Sequence, residues 1–257
     1  MPLEDIPRTK TGIQGLDAAL NGGIPTGNAV LISGGAGTGK STFCLQFAVN
    51  GATLFGEKTL YISTEQTREE LYRQAYGFNW RVDDLEARNL LKIVFFDVTN
   101  GNSFMEKLDA IIMDFKPRRI IIDSLTTLTD SLLVSGMTED KGFSMVQIAE
   151  TVNPMPRTDQ IMTKHILYTL FKAIKKYKVT SVFTSELPED EHSLSADGVS
   201  EFVADGVLML HFLGMGGVDS RSMRVRKMRY TDHFKDIMQY EMNQNGFVVY
   251  ADSDIKV

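Results

Sequence analysis

A single cysteine, Cys44, stands in a chain of 257 residues, so no intrachain disulfide can form. That fits a reducing compartment. Basic residues are not in surplus: 27 Lys and Arg face 33 Asp and Glu, for a net charge of −6. The balance disfavours a protein whose main task is gripping nucleic acid or an anionic membrane, while leaving room for a local basic patch. No apolar run approaches the roughly 20 residues that span a bilayer. The opening MPLEDIPRTK is charged and lacks the apolar core of a signal peptide. The expectation is a cytoplasmic protein with no membrane partner. No Pro/Gly/Ser-rich linker, low-complexity segment or second glycine loop divides the chain, so residues 1–257 read as one domain. The 13 methionines read as core filling.

What is present is an alternation of strands and helices. NAVLIS (28–33), KTLYIS (58–63), LKIVFFD (91–97), RRIIIDS (118–124) and VTSVFTS (179–185) are short apolar strands. Helices are expected over 39–52, 68–78, 103–115 and 159–177. Phe43, Leu45, Phe47 and Ala48 mark one face of the first, and Thr67 is a plausible cap for the second. Strands apolar on both faces, alternating with helices, imply a mostly parallel sheet covered on both sides. After about residue 205 the pattern changes to short strands joined by turns. The fold class is therefore α/β with a C-terminal antiparallel extension.

Between the first strand and first helix stands Gly34-Gly35-Ala36-Gly37-Thr38-Gly39-Lys40-Ser41. It matches G-x-x-x-x-G-K-[ST]. Glycines let the backbone wrap so that several N–H groups meet one phosphate, and the helix start adds positive potential. Lys40 reaches the β- and γ-phosphates and Ser41 holds Mg²⁺ in such a loop. With Thr42 following, Gly35, Ala36, Gly37, Thr38, Gly39, Lys40, Ser41 and Thr42 are the candidate contacts to ATP or ADP. Asp123 ends the most hydrophobic strand, at the sheet edge where open α/β sheets bind ligands, and is the candidate partner for the metal. Glu65, before Gln66 at the end of KTLYIS, could polarise a water beside the γ-phosphate. From position alone it could equally be an exposed acid before a helix.

The stretch from Arg8 to Phe78 resembles the KaiC family of RecA-superfamily ATPases. TGIQGLD with GGIPTG (11–27) leads into the glycine loop as in that family, and EFVADGVLML (201–210) and KMRYTDHFK (227–235) resemble its later motifs. The resemblance implies a RecA-like P-loop core, often a homo-oligomeric hexamer with ATP between subunits. It implies that Glu65 is the water-activating carboxylate, where the family often has a second Glu instead of Gln66. Ser41, Asp123 and Glu65 are then the candidate Mg²⁺ ligands. It implies that Phe78 packs near adenine. Lys227, Met228, Arg229, Thr231 and His233 match residues that reach the γ-phosphate from the neighbouring subunit, and Arg221 the same region. Thr184, Ser185 and Glu186 match γ-phosphate sensors.

By period two, Arg221, Lys227 and Arg229 share one strand face and can act as arginine-finger-type cations, or simply as a charged edge. The resemblance favours a regulatory nucleotide switch with an unidentified protein partner. A recombinase-like ATPase that binds single-stranded DNA is the alternative. Against it, the loop after VFTS carries Glu186, Glu189, Asp190, Glu191 and Asp197 with no Lys or Arg. Only Arg118 with Arg119 and Arg224 with Arg226 form close arginine pairs that could grip phosphates. An autokinase acting on the hydroxyls of SLTTLTDS (124–131) is a further alternative.

Overall fold

The computed structural model describes residues 6–96, 104–138, 157–187, 193–215 and 218–250. A two-residue strand β1 (Arg8–Thr9) pairs with β2 (Ile24–Pro25) around the short helix α1 (Leu16–Ala19). The main elements then run β3 (Ala29–Gly34), α2 (Lys40–Leu54), β4 (Thr59–Ser63), α3 (Arg68–Gly77), α4 (Val82–Ala87) and β5 (Leu91–Phe95). Next come α5 (Phe104–Phe115), β6 (Arg119–Asp123), α6 (Leu125–Thr138), α7 (Arg157–Lys175) and β7 (Thr180–Glu186). Last are α8 (Ser200–Val203), β8 (Gly206–Met215), β9 (Val218–Met228), β10 (Met238–Asn243) and β11 (Gly246–Tyr250).

Nine strands form one sheet in the order β11-β10-β9-β8-β3-β7-β6-β4-β5. The six from β8 to β5 are parallel, and β9, β10 and β11 extend the sheet antiparallel at one edge. Helices cover both faces. One core gathers α1 to α4 and the inner faces of β10 and β11. The other gathers α5, α6 and α7. This is the α/β architecture expected from the alternation, extension included.

Local chemistry sets the start of α3. Thr67 accepts the Glu70 N–H while the Glu70 carboxylate accepts the Thr67 N–H, a full capping box at the start of α3. α2 departs from the one-faced helix expected: residues 42–49 are buried without a break. It packs against the parallel strands of the sheet and against β11 and α4.

Arg119 is the largest fully buried side chain. Its Nε meets Glu57 Oε2 at 2.6 Å, and its Nη atoms donate to Phe47 O and Lys10 O. The guanidinium also lies 4.5 Å from the Phe47 ring centroid. Gly51 makes room for it: a Cβ there would sit 2.6 Å from Nε. Burial pulls the Arg119 pKa down, and Glu57 pulls it back up. The Arg118–Arg119 pair is thus split by strand alternation, and Arg119 cannot grip a nucleic acid. Replacing Arg119 with Met strands Glu57 and two carbonyls, which costs about 3 kcal/mol or more. Thermal unfolding should record a Tm fall of roughly 6–12 °C. An unchanged Tm would show that the network is not structural.

Candidate functional site

Four neighbouring strands, β3, β7, β6 and β4, deliver side chains or backbone to one place at the carboxyl edge of the sheet. β3 runs into the glycine loop. β7 ends in Glu186, β6 in Asp123, and β4 leads to Glu65. Together they line a cavity of about 630 Å³ with Ala36, Gly37, Gly39, Lys40, Ser41 and Thr42. The cavity is large enough for a triphosphate.

The loop is shaped for an anion. Gly37 and Gly39 adopt φ of +73° and +93°, a backbone open to glycine at little cost. A Cβ on Gly39 would also meet Met242 Sδ at 2.4 Å, but that side chain can swing aside, so the left-handed φ is what favours glycine there. The Lys40 amine folds back onto the Gly34 and Gly35 carbonyls at 2.8 and 3.0 Å. It has donors to offer a phosphate in the same cradle.

The C-terminal strands hold the loop from behind. Arg221 Nη1 donates to Gly37 O at 2.8 Å, and Tyr240 Oη to Thr38 O at 2.6 Å. In a trans peptide the carbonyl and the following N–H point opposite ways. Fixing these two carbonyls therefore turns the Thr38 and Gly39 N–H groups away from the C-terminal strands. Tyr240 is itself stacked on Phe247, ring centroids 4.3 Å apart. Tyr240→Phe keeps the ring and removes the bond, worth about 1 kcal/mol. A fluorescent-nucleotide titration should show affinity weaker by up to roughly fivefold, with a Tm fall of no more than about 2–4 °C. Wild-type affinity would mean the loop needs no such brace.

Asp123 is buried, and both its oxygens accept bonds: Oδ2 from Tyr61 Oη at 2.7 Å, Oδ1 from Thr184 Oγ1 at 2.6 Å. Burial first, then the Asp123 charge, pushes the Tyr61 pKa well up, so this phenol stays a donor. Thr184 thus orients Asp123. Burial and Asp123 likewise raise the Cys44 thiol, which lies behind the loop as an inert packing group. Glu65 Oε1 accepts from Ser124 Oγ and from Thr127 Oγ1, the latter at 2.6 Å. Its Oε2 has no hydrogen-bond partner among the described residues and is free to meet a water. Gln66 donates to Gln74, which donates to Thr42 Oγ1 at 2.9 Å, tying α3 to the start of α2.

Among the described residues no group of three or more His, Cys, Asp or Glu could hold a metal by itself. A hard cation here needs oxygens from a bound phosphate, which is how Mg²⁺ usually binds. Ser41 and Asp123 on the cavity wall fit that arrangement.

The remaining site residues lie elsewhere. Phe78 stacks on Trp80 at 4.7 Å and is not part of the cavity wall. The expected single face of Arg221, Lys227 and Arg229 does not exist. A bulge shifts the β8–β9 register: Val207 faces Lys227, but Leu208 faces Val225. One extra residue flips the alternation. Arg221 therefore shares its face with Met223 and Val225 and reaches this chain's own loop. Lys227 faces the other way, at the far end of β9.

There Lys227 Nζ donates to Glu201 O and Ala204 O at 2.9 and 2.6 Å. Burial, then the neighbouring Arg229 charge, lowers its pKa. Arg229 pairs with Asp205 at 2.9 Å, and Lys175 with the same carboxylate at 2.8 Å. Burial pulls the Asp205 pKa up, but bonds from Ala29 N–H, Lys175 and Arg229 outweigh it and hold it below its usual value. The Met228 side chain is buried under Gly206, so only its backbone can meet a ligand. The Thr231 hydroxyl accepts from Arg8, and His233 Nδ1 lies 2.8 Å from Phe234 O. This group sits at the amino edge of the sheet, where Asp205 bonds the start of β3. It is separated from its own glycine loop by the length of that strand.

Ser185 Oγ accepts the Ala196 N–H. Asp197 bonds the Val199 and Ser200 N–H groups, so it serves a turn. Glu189, Asp190 and Glu191 lie outside the described residues. Sequence reasoning missed Tyr240, Met242, Arg73 and Gln74, all at this site. Tyr240 and Met242 lie two apart on β10, the one signal that both face the same way.

The family model described as "ATPase: KaiC" matches residues 9–140 and 139–254. The chain belongs to the KaiC-like ATPase family. Similar proteins include a UPF0273 protein of Thermotoga maritima, 32% identical, covering 95% of this chain and 96% of that one. A UPF0273 protein of Methanocaldococcus jannaschii is 29% identical over 97% of this chain and 99% of its own length. The circadian clock oscillator protein KaiC of Parathermosynechococcus lividus is 26% identical, and the match spans 43% of that longer protein. Among solved structures, a KaiC-like protein of Pyrococcus horikoshii superposes with a TM-score of 0.77 at 28% identity, covering 96% of this chain and all of that one. The fold is thus the RecA-type core of KaiC-like proteins. No helix among the described residues is long and apolar enough to cross a membrane.

Proposed function

We propose that this KaiC-like chain is one domain, residues 1–257, that binds ATP with Mg²⁺ and hydrolyses it to ADP and phosphate. The observation that carries the reading is the convergence of Lys40, Ser41, Asp123 and Glu65 on one cavity beside the braced glycine loop. The loop N–H groups and Lys40 bind the phosphates. Ser41 and Asp123 would hold Mg²⁺, which neutralises charge on the phosphate oxygens when bound. Both Asp123 oxygens already accept hydrogen bonds, which suits contact through the metal's waters. Glu65 is assigned to the attacking water: its Oε1 is fixed by two hydroxyls, leaving Oε2 to accept the proton. The water oxygen bonds to the γ-phosphorus as the bond to the bridging oxygen breaks. ADP leaves with that electron pair.

The chain assembles as a homo-oligomer, a hexameric ring, in the cytoplasm, and works as a regulatory nucleotide switch on a protein partner. Support for assembly comes from the amino-edge cations. Lys227 and Arg229 stand too far from their own loop to stabilise charge there, and Arg229 remains 43% exposed beside Asp205. A neighbouring subunit's site is the place left for them to act.

The test mixes two variants, Lys40→Ala and Arg229→Ala, each expected to be nearly inactive. In a head-to-tail ring with random equal mixing, roughly a quarter of interfaces combine an intact loop with an intact Arg229. Phosphate release should return on co-expression. Mixed rings verified by pull-down of one tagged variant, yet showing no recovered turnover, would overturn the assignment in trans.

A further inference from the structure

A second cavity, of about 520 Å³, opens at the amino edge of the main sheet, away from the glycine loop. Four cations line it: Arg8, Lys116, Arg118 and Lys178. Among the described residues Glu57 is the one acid on its wall, and the buried Arg119 already takes that carboxylate. In a chain of net charge −6, this is a local reversal of sign. The Arg8 guanidinium is committed to the Gly23 and Tyr230 carbonyls and to Thr231, so it gives charge rather than free donors. Lys116, Arg118 and Lys178 are exposed and make no side-chain hydrogen bond or ion pair with the described residues.

The backbone adds an independent observation. Lys116 and Lys178 both adopt left-handed φ, +52° and +54°. Each closes a helix, its N–H meeting Ile112 O and Lys175 O respectively. Glycine is the usual residue at such a C-terminal position, and a side chain there is strained. A cation does favour a helix C-terminus, but α7 already carries Lys172 and Lys175 in its last turn. Two lysines in this conformation are thus brought to one cavity with an arginine, none of the three partnered among the described residues.

The chemistry of the wall narrows that ligand. Three cations without a partner among the described residues match a dianion better than a carboxylate, and a phosphate monoester is close to dianionic at neutral pH. The Arg118 fork suits phosphate oxygens. Met113, Pro117 and Val179 supply apolar surface beside the charge. The volume is that of a small-molecule site. We propose that this cavity binds a small phosphate monoester with an apolar body, separately from ATP.

Phenyl phosphate is the probe, read by NMR of the full chain with ¹³C-methyl methionine. Met113 lines this cavity and Met242 lines the glycine-loop cavity, so one spectrum reports both. Met113→Leu assigns the first signal. Phenyl phosphate should move the Met113 resonance saturably, and ATP the Met242 resonance. A triple variant, Lys116→Gly, Lys178→Gly and Arg118→Ala, should weaken the Met113 response at least tenfold. Its Met242 response to ATP should stay, and the two glycines, relieving strain, should keep the unfolding midpoint at or above wild type. Several results would overturn the proposal: no movement of Met113, an equal response to phenol, or a response that survives the triple change. Movement of Met113 by a single-stranded oligonucleotide but not by phenyl phosphate would also overturn it, replacing the small ligand with a polymer.

Discussion

Lys40→Ala should weaken ATP binding by at least about a hundredfold. The amine is the one flexible cation inside the glycine loop, and it is held there by the Gly34 and Gly35 carbonyls. Hydrogen bonds to charged groups are worth about 1.5–3 kcal/mol each, and Lys40 would meet two phosphates. The loss is then about 3 kcal/mol or more, which is two decades in Kd. The fold should survive, because Lys40 is half-buried and makes no ion pair with the described residues. A titration with fluorescent ATP reads the change. Unchanged affinity with an intact Tm would remove the nucleotide from this loop.

Glu65→Gln should leave ATP binding nearly intact and lower kcat by roughly 10²–10⁴. The amide oxygen can still accept from Ser124 and Thr127, so the side chain stays in place. What it loses is the basicity that lets Oε2 take a proton from water. Bound ATP should therefore persist in the variant under conditions where wild type turns it over. Phosphate release at the wild-type rate would move the base elsewhere, with Asp123 next in reach of the cavity.

The parts legible in the sequence are those carried by contiguous residues. The glycine loop is one stretch, and each conformation it needs is written by a glycine at that position. Asp123 was legible because an apolar strand ending in an acid marks the carboxyl edge of a parallel sheet. Thr67 was legible because its capping partner Glu70 lies three residues away. What the sequence hid depends on distant pairing. The bulge at β9 is set by how β8 and β9 align, and period-two reasoning cannot see one extra residue. Arg119 looks like a surface charge until Glu57 and Gly51 are folded beside it. Tyr240 braces a loop some two hundred residues earlier in the chain.

The central claim is that ATP is cleaved at the carboxyl edge of this sheet. The measurement that tests it most directly is inorganic phosphate release from ATP with Mg²⁺, run side by side on wild-type protein and Lys40→Ala across a range of protein concentrations. The account predicts steady release by wild type, abolished by chelating Mg²⁺ and absent in the variant. Equal release by both proteins, or ATP retained uncleaved by assembled wild type, would contradict it.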